Sequence, residues 1–371
     1  MARIGIAGAG LLGRLIAWRL AVAGHAVEVF DPADGPAPRF DGQGAAGFTA
    51  AGMLSPLAEL DNAGPTVATL GLRSLALWPR IAQRLAAEPA VQALPDGAPQ
   101  VRVQGSLMLA HRGDLGAAQR VLARVAEGRT IGLGAPQPLD TAALTALEPA
   151  LHGIAHAWLL PGEGQIDTPV MLQALAAAAT AAGVRWHWGT TVTQATPGQL
   201  VLADGRTQRC DTVIDVRGVG ARQAGPLASA DPRPHLRGVR GETVWLHAPG
   251  LGLQRPVRLL HPRHRVYIVP RAGDRVVIGA SEIESEDRSE VSLKTAVELM
   301  TAAHSVLPAL AEARILRLDR NLRPALPDHE PRTVIDHGLL CINGLFRHGW
   351  LLAPALVDDA LAAADLAAPL A

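Results

Sequence analysis

The sequence is short of the residues on which several chemistries depend. It has one lysine (Lys294), one tyrosine (Tyr267), four phenylalanines and two cysteines in 371 residues. Positive charge is almost wholly arginine, and Lys+Arg 34 balance Asp+Glu 34. No net field is left to draw in nucleic acid or an anionic membrane. Cys210 and Cys341 stand alone without C-x-x-C spacing, which gives no support to a disulfide framework or a cysteine metal site and fits a reducing cytoplasm. His261-Pro262-Arg263-His264 and His348 have no partners at metal spacing, so no metal is expected. The chain lacks a G-x-S-x-G elbow, which removes hydrolase readings. No uncharged run reaches the roughly 18 residues of a membrane helix, and the chain enters a glycine motif at once, so no cleaved leader is expected. The expectation is a soluble cytoplasmic protein with no membrane span.

What the chain does have is a 49% hydrophobic composition and a length that calls for one large or two intimate domains. Arg3-Ile4-Gly5-Ile6-Ala7-Gly8-Ala9-Gly10-Leu11-Leu12-Gly13 reads as a short apolar strand, a G-x-G-x-x-G turn and the start of a helix to Ala23. Val27 to Phe30 is a second strand ending on Asp31. Gly8 suits the tight turn, Gly10 leaves room for a pyrophosphate, and Gly13 lets the helix lie close on the strand. The helix N-terminus offers unpaired N–H groups to phosphate, and an acid about 20 residues past the first glycine can bind a ribose. Glycines also mark ordinary turns; the order strand, glycines, helix, strand, acid favours a dinucleotide without choosing NAD or FAD.

Further on, Gly42 to Pro56 is built of small residues and carries no charge after Asp41. It suits backbone running against a flat ligand, though a surface linker is the bland alternative. Periodicity predicts helices over Leu70–Ala87, Leu115–Glu127, Thr141–Leu147, Thr168 to about Ala182 (capped by Asp167 or Thr168), Ser292–Leu307 and roughly Ala353–Ala364. It predicts strands over Val101–Leu109, His156–Leu160 and Leu339–Asn343, a strand pair Val184–Trp188 with Thr191–Gln194, and a hairpin of Leu200–Ala203 with Arg209–Val216. The last of these runs into Gly218-Val219-Gly220, a second place for backbone to touch a nucleotide. Four strands between Glu242 and Gly279 suggest an antiparallel second lobe, and Arg314–Leu322 reads as a later strand returning to Arg323.

Taken together, the glycine motif, Ala50-Ala51-Gly52-Met53-Leu54-Ser55-Pro56, Tyr267-Ile268-Val269-Pro270-Arg271 before Ile278-Gly279-Ala280, Leu322-Arg323-Pro324 and Gly344-Leu345-Phe346-Arg347-His348-Gly349 resemble the D-amino-acid-oxidase-type FAD-dependent oxidoreductases. Within them the pattern is most similar to the glycine oxidases of thiamine biosynthesis. The resemblance spans nearly the whole chain. It implies a two-lobed α/β (α+β) fold: a Rossmann-like FAD-binding domain over 1–90, 160–225 and 320–371, and an antiparallel-sheet substrate domain over 91–159 and 226–319, both discontinuous. It implies FAD contacts at Gly8, Gly10, Leu11, Leu12, Gly13, Asp31, Ala50, Ala51, Gly52, Met53, Val192 and Gly218, and along Leu345, Phe346, Arg347, His348, Gly349, Trp350 and Leu351. Arg323 matches the position that holds a substrate carboxylate, and Arg347 and Tyr267 match further substrate-side positions. Relatives with covalent flavin carry a cysteine just past the Arg-Pro pair; here Ala325-Leu326-Pro327-Asp328 stands there, so FAD is expected to be non-covalent. The sequence departs from the pattern in the segment before Ala50, in Pro32 after Asp31, in Arg217, and in the bulk of His348 and Trp350.

Chemically, such an enzyme orients a substrate Cα–H over the flavin, and the cofactor takes the hydride. Arginine suits a carboxylate because its planar fork makes two charge-assisted bonds. The bland reading of Arg323 is a surface arginine, and of Tyr267 a half-buried strand residue. The expected activity is oxidation of a small, glycine-like amino acid with a primary or secondary amine to its imine, with O2 as acceptor giving H2O2. Alternatives are a dehydrogenase passing electrons to a quinone or carrier protein, an NAD(P)-dependent reductase, and a non-catalytic flavin-binding subunit. The oligomeric state is open, a homo-oligomer included.

Overall fold

The computed structural model describes residues 1–126, 132–222, 235–260, 265–368 and 370. In chain order the strands are β1 Arg3–Ala7, β2 Ala26–Phe30, β3 Met53–Leu54, β4 Val101–Arg102, β5 Ser106–Ala110, β6 Gln137–Leu139, β7 His156–Leu160, β8 Gly164–Ile166, β9 Arg185–His187 and β10 Val192–Thr196. They continue with β11 Gln199–Leu202, β12 Thr207–Arg209, β13 Thr212–Asp215, β14 Arg237–His247, β15 Val257–Leu260, β16 Arg265–Arg271, β17 Arg275–Gly279, β18 Arg314–Ala325, β19 Arg332–Asp336 and β20 Leu339–Asn343. The helices are α1 Leu11–Val22, α2 Ala46–Thr49, α3 Pro56–Glu59, α4 Pro65–Ala86, α5 Pro89–Gln92, α6 Leu115–Val125, α7 Thr141–Leu147, α8 Thr168–Ala181, α9 Leu293–His304 and α10 Gly349–Ala363.

Among the described residues, one sheet runs β19-β20-β13-β1-β2-β9 and is parallel except for the edge pair β19–β20. Its apolar strands are covered by α1, α4, α8 and α10, which share one core with it: Ile4, Ile6, Leu15, Trp78, Met171 and Leu352 are all within 1% of full burial. β1, α1 and β2 form the parallel strand–helix–strand unit expected around the glycine turn. Gly8 adopts φ +104°, and a methyl on Gly13 would lie 1.8 Å from the Gly8 carbonyl oxygen. The helix rests on the turn only because both side chains are hydrogen.

A second sheet runs β18-β14-β17-β16-β15-β5-β7-β6 and holds its own core with α7 and α9. The expected antiparallel lobe is corrected at one junction, since β15 and β5 are parallel. β18 is continuous through residue 320, pairing with β14 from Arg314 to Ala325. The boundary expected at 320 therefore falls inside a strand, because eleven cross-strand partners hold it as one ladder.

Other expectations change where long-range pairing overrides local pattern. Val184–Trp188 and Thr191–Gln194 do not pair with each other. β9 lies beside β2, and after Gly189 the chain is taken by bonds to Ala33 O and Asp31 O, so that β10 joins β11 instead. The strand expected over Arg209–Val216 is broken: β12 completes the hairpin with β11, while Asp211, bonded to the Arg3 backbone in both directions, hands β13 to β1. Val101–Leu109 is split at Gly105 (φ +84°), whose N–H goes to Glu163 O at 2.8 Å. The terminal helix starts at Gly349, four residues before Ala353. The helix expected over Leu115–Glu127 ends at Val125, and Glu127 lies outside the described residues. Asp167 is the α8 cap, accepting from Val170 N at 3.4 Å.

Gly13→Ala is expected to cost roughly 1–3 kcal/mol of stability by overpacking, while Gly35→Ala, with nothing within 4 Å of its added methyl, should stay within about 0.5 kcal/mol. Urea unfolding of both variants checks the difference; equal midpoints would contradict the packing account.

Candidate active site

A cavity of about 950 Å³ runs from the glycine turn at the C-terminal ends of β1 and β13 to the face of the second sheet. Its nucleotide end is backbone. Gly10 precedes α1 with no side chain capping that helix, so the first-turn N–H groups are left for a ligand, as helix N-termini leave them for phosphate. A methyl on Gly10 would find only Ala45 Cβ, at 3.6 Å, so open cavity lies over it. Asp31 accepts from Ala9 N at 2.6 Å through Oδ2 and from Ala33 N at 2.8 Å through Oδ1. Pro32 cannot donate, and Ala33 supplies the N–H in its place. Arg14 braces the same peptide from below, with Nε to Ala9 O at 2.8 Å and Nη1 to Leu172 O at 2.9 Å. Burial pushes its guanidinium down to about 10. Arg217, unusual in sequence, forks onto Asp215 (2.9 and 2.8 Å) and reaches Val192 O at 2.7 Å. It ties the end of β13 to β10 beside Gly218.

The middle of the cavity passes the segment Ala50 to Met53. Gly52 has φ +63°, and a methyl there would strike Ile166 O at 2.2 Å. Arg271, 7% exposed, gives Nη1 to Gln165 Oε1 at 3.0 Å and Nη2 to Ala51 O. Burial lowers its guanidinium to about 10. Trp350 donates Nε1 to Gly47 O at 3.0 Å and accepts at its carbonyl from Trp78 at 2.7 Å. Its bulk thus pins the start of α10 to α2 and α4. α10 begins with no side-chain cap and carries Gly349, Trp350 and Leu351 onto the cavity wall, presenting its positive end there.

The far end is built on one row across the second sheet. Register places Arg258 opposite Tyr267, Tyr267 opposite Gly279, and Gly279 opposite Thr243. Two glycines make the trough: a methyl on Gly279 would meet Tyr267 Oη at 2.4 Å, and one on Gly241 would meet the Arg323 guanidinium at 2.4 Å. The phenol and the guanidinium thus lie flat on bare backbone and face the same space. Arg323 Nη1 donates to Ser281 O at 3.0 Å, and among the described residues no carboxylate comes within ion-pair distance of it. Burial lowers the Arg323 guanidinium, with Tyr267 and Glu282 opposing. Burial raises the Tyr267 phenol, with Arg323, Arg258 and Arg347 opposing.

Arg347 lies between two acids, 2.7 Å from Glu59 and 3.3 Å from Glu282. His348 is 4% exposed, with Nε2 3.0 Å from Glu59 and a buried Nδ1 without a partner. Arg347, His348 and Glu282 also wall a smaller cavity of about 290 Å³ on the outer side, with Asp328 and Glu330.

Of the residues singled out in sequence, all but one line the large cavity. Gly13 does not. It sits beneath the turn, as the contact with Gly8 requires. Glu59, Arg258, Glu282, Arg14 and Gly241 carry geometry that sequence reasoning did not assign. Each is a single polar or small residue whose partners are remote in the chain. Among the described residues no cluster of three His, Cys, Asp or Glu side chains could hold a metal ion. No helix is long and apolar enough to cross a membrane.

The chain is 37% identical over 96% of its length, and 94% of the relative's, to a Rhizobium etli protein named, provisionally, thiamine biosynthesis oxidoreductase ThiO. It is 28% identical over 95% of its length, and 89% of the relative's, to a glycine oxidase from Geobacillus kaustophilus. The crystal structure of glycine oxidase from that organism superposes with a TM-score of 0.79 at 27% identity, covering 98% of this chain and 94% of that one. The model of the FAD dependent oxidoreductase (DAO) family matches residues 3–362. With that match over nearly its whole length, the chain belongs to the FAD-dependent oxidoreductases of the D-amino-acid-oxidase type.

Proposed function

We propose that this FAD-dependent enzyme oxidises a small amino acid, glycine or a close primary or secondary amine, to its imine, with O2 as the final acceptor and H2O2 as the product. The observation that carries this reading is Arg323: a half-buried guanidinium on the floor of a cavity, with one backbone carbonyl and, among the described residues, no carboxylate as partner. Charges in such places are ordinarily paired, and a substrate carboxylate completes the pair. Tyr267 flanks that position and Arg347 stands at its outer edge. The family relatives named for glycine oxidation and thiamine biosynthesis support glycine as substrate and a place in making the thiazole of thiamine.

FAD, when bound, supplies the acceptor for the substrate hydride. The chain's residues divide the remaining work. The open backbone at Gly8 and Gly10, the uncapped N-terminus of α1 and Asp31 would hold the ADP portion. Ala50 to Met53 and Leu345 to Leu351 would hold the ring system, with the positive end of α10 favouring negative charge on it. Neither Cys210 nor Cys341 lines the cavity, which supports non-covalent attachment. Both are buried and outside any disulfide, which fits the cytoplasm. Arg323 and Tyr267 fix the substrate's carboxylate end, so orientation rather than acid–base exchange is the chain's main contribution.

Arg323→Met is expected to raise KM for glycine by roughly 30- to 160-fold, the equivalent of one charge-assisted pair of about 2–3 kcal/mol, with FAD content unchanged. Steady-state kinetics on flavin-replete protein measure it, and a KM within threefold of the parent would remove Arg323 from carboxylate binding. An oxygen electrode should record uptake on adding glycine, with one H2O2 formed per O2 consumed. Turnover with an artificial dye but none with O2 would assign the acceptor elsewhere.

A further inference from the structure

Three arginines border the substrate end of the cavity, and they differ in what already holds them. Arg258 gives Nη2 to Glu59 Oε1 at 2.6 Å, and Arg347 gives Nη2 to Glu59 Oε2 at 2.7 Å. A single carboxylate, 8% exposed, therefore occupies two guanidinium groups, one on each oxygen, with His348 on the second oxygen as well. Burial pushes the Glu59 carboxyl up, but Arg347, Arg258 and His348 outweigh it and hold the group well below the usual carboxylate range. Of the three, Arg323 has no carboxylate within ion-pair distance among the described residues. All three guanidinium groups act on the Tyr267 phenol, so they surround one space.

The acids around that space leave it no further spare positive charge. Arg347 has Glu282 as a second partner. Behind Arg258 stands Glu163, buried on Ala58 N and Ser106 Oγ. A ligand with one carboxylate pairs with Arg323. A second carboxylate on the same ligand would meet Arg258 and Arg347 already engaged and Glu59 repelling it at close range. Arg258 keeps a buried Nε without a partner, so a donor is present there but its charge is spent.

We propose that Glu59 is a specificity-determining residue: by occupying Arg258 and Arg347 it restricts the cavity to substrates with a single carboxylate. The inference rests on the reading of Arg323 as the carboxylate anchor. Glu59 touches no reacting atom in this account; it sets the charge that a substrate meets.

Binding without turnover separates the two claims. The flavin absorbance of the holoenzyme is followed while malonate or its monoamide, malonamate, is added at a pH where malonate is a dianion; the two differ by one charge at nearly constant shape. The parent protein should bind malonamate at least tenfold more tightly than malonate. Glu59→Gln should shift that ratio by tenfold or more toward malonate, and Glu59→Gln with Arg258→Gln should lose the gain. An unchanged ratio in Glu59→Gln, with malonamate still bound, overturns the proposal and leaves the Arg323 reading standing. If the parent bound neither ligand, both would fall. Should Glu59→Gln fail to retain FAD, Arg258→Gln alone decides. It leaves Glu59 charged with one arginine fewer, so malonate should weaken relative to malonamate, and a ratio moved toward malonate or unmoved contradicts the proposal.

Discussion

The half-buried guanidinium of Arg323 is the constraint to which the end of the cavity at the second sheet is fitted. A charge taken out of water must be repaid by a partner, and the chain supplies it with one backbone carbonyl. The surroundings leave it no carboxylate among the described residues. Gly241 gives the side chain bare backbone to lie on, and Pro324, next to Arg323, accepts at its carbonyl from Phe346 N. The strand bearing the arginine is thereby stitched to the loop bearing Arg347. Neighbouring arginines that could have competed for the same anion are held by Glu59.

The two sheets give the cavity different walls. The parallel sheet ends its strands on turns, and its crevice is lined by N–H groups and glycines, as expected for ligands bound beyond the carboxyl ends of strands. The second sheet offers a broad face instead, on which Arg258, Tyr267 and Thr243 stand in register. Two segments, Ala46 to Glu59 and Asn343 to Trp350, run along the cavity between them. They are fixed by Trp350, Arg271 and the Glu59 cluster. The cavity thus lies where chain segments from both sheets converge, and two bound molecules would be positioned there without a nucleophile.

Much of the cofactor end was legible in the sequence because its signals are local. A strand, three glycines, a helix and an acid fall within the first 31 residues, and each acts on its near neighbours. α7, α8, β7 and β20 followed from caps, prolines and apolar runs for the same reason. What sequence did not disclose was partner choice. β9 and β10 are adjacent in the chain and lie in different sheets. Cys210-Asp211 divides one apolar run between a hairpin and the parallel sheet, a choice settled by Arg3, 208 residues away from Asp211. Glu59 is the clearest case. It is a lone acid ending a four-residue helix, and it acquires meaning only through Arg258 and Arg347, 199 and 288 residues distant. The motifs around Tyr267, Arg323 and Arg347 stand apart in the sequence, and the fold brings them to one end of one cavity.

The central claim, that the cavity brings a small amino acid to FAD for oxidation, is tested most directly by mixing the flavin-replete protein with glycine in the absence of O2. The account predicts loss of the oxidised-flavin absorbance near 450 nm, a general property of the flavin chromophore, at a rate that saturates with glycine, and its recovery on admitting air. An oxidised spectrum that persists with glycine and with every small primary or secondary amino acid tried would contradict it.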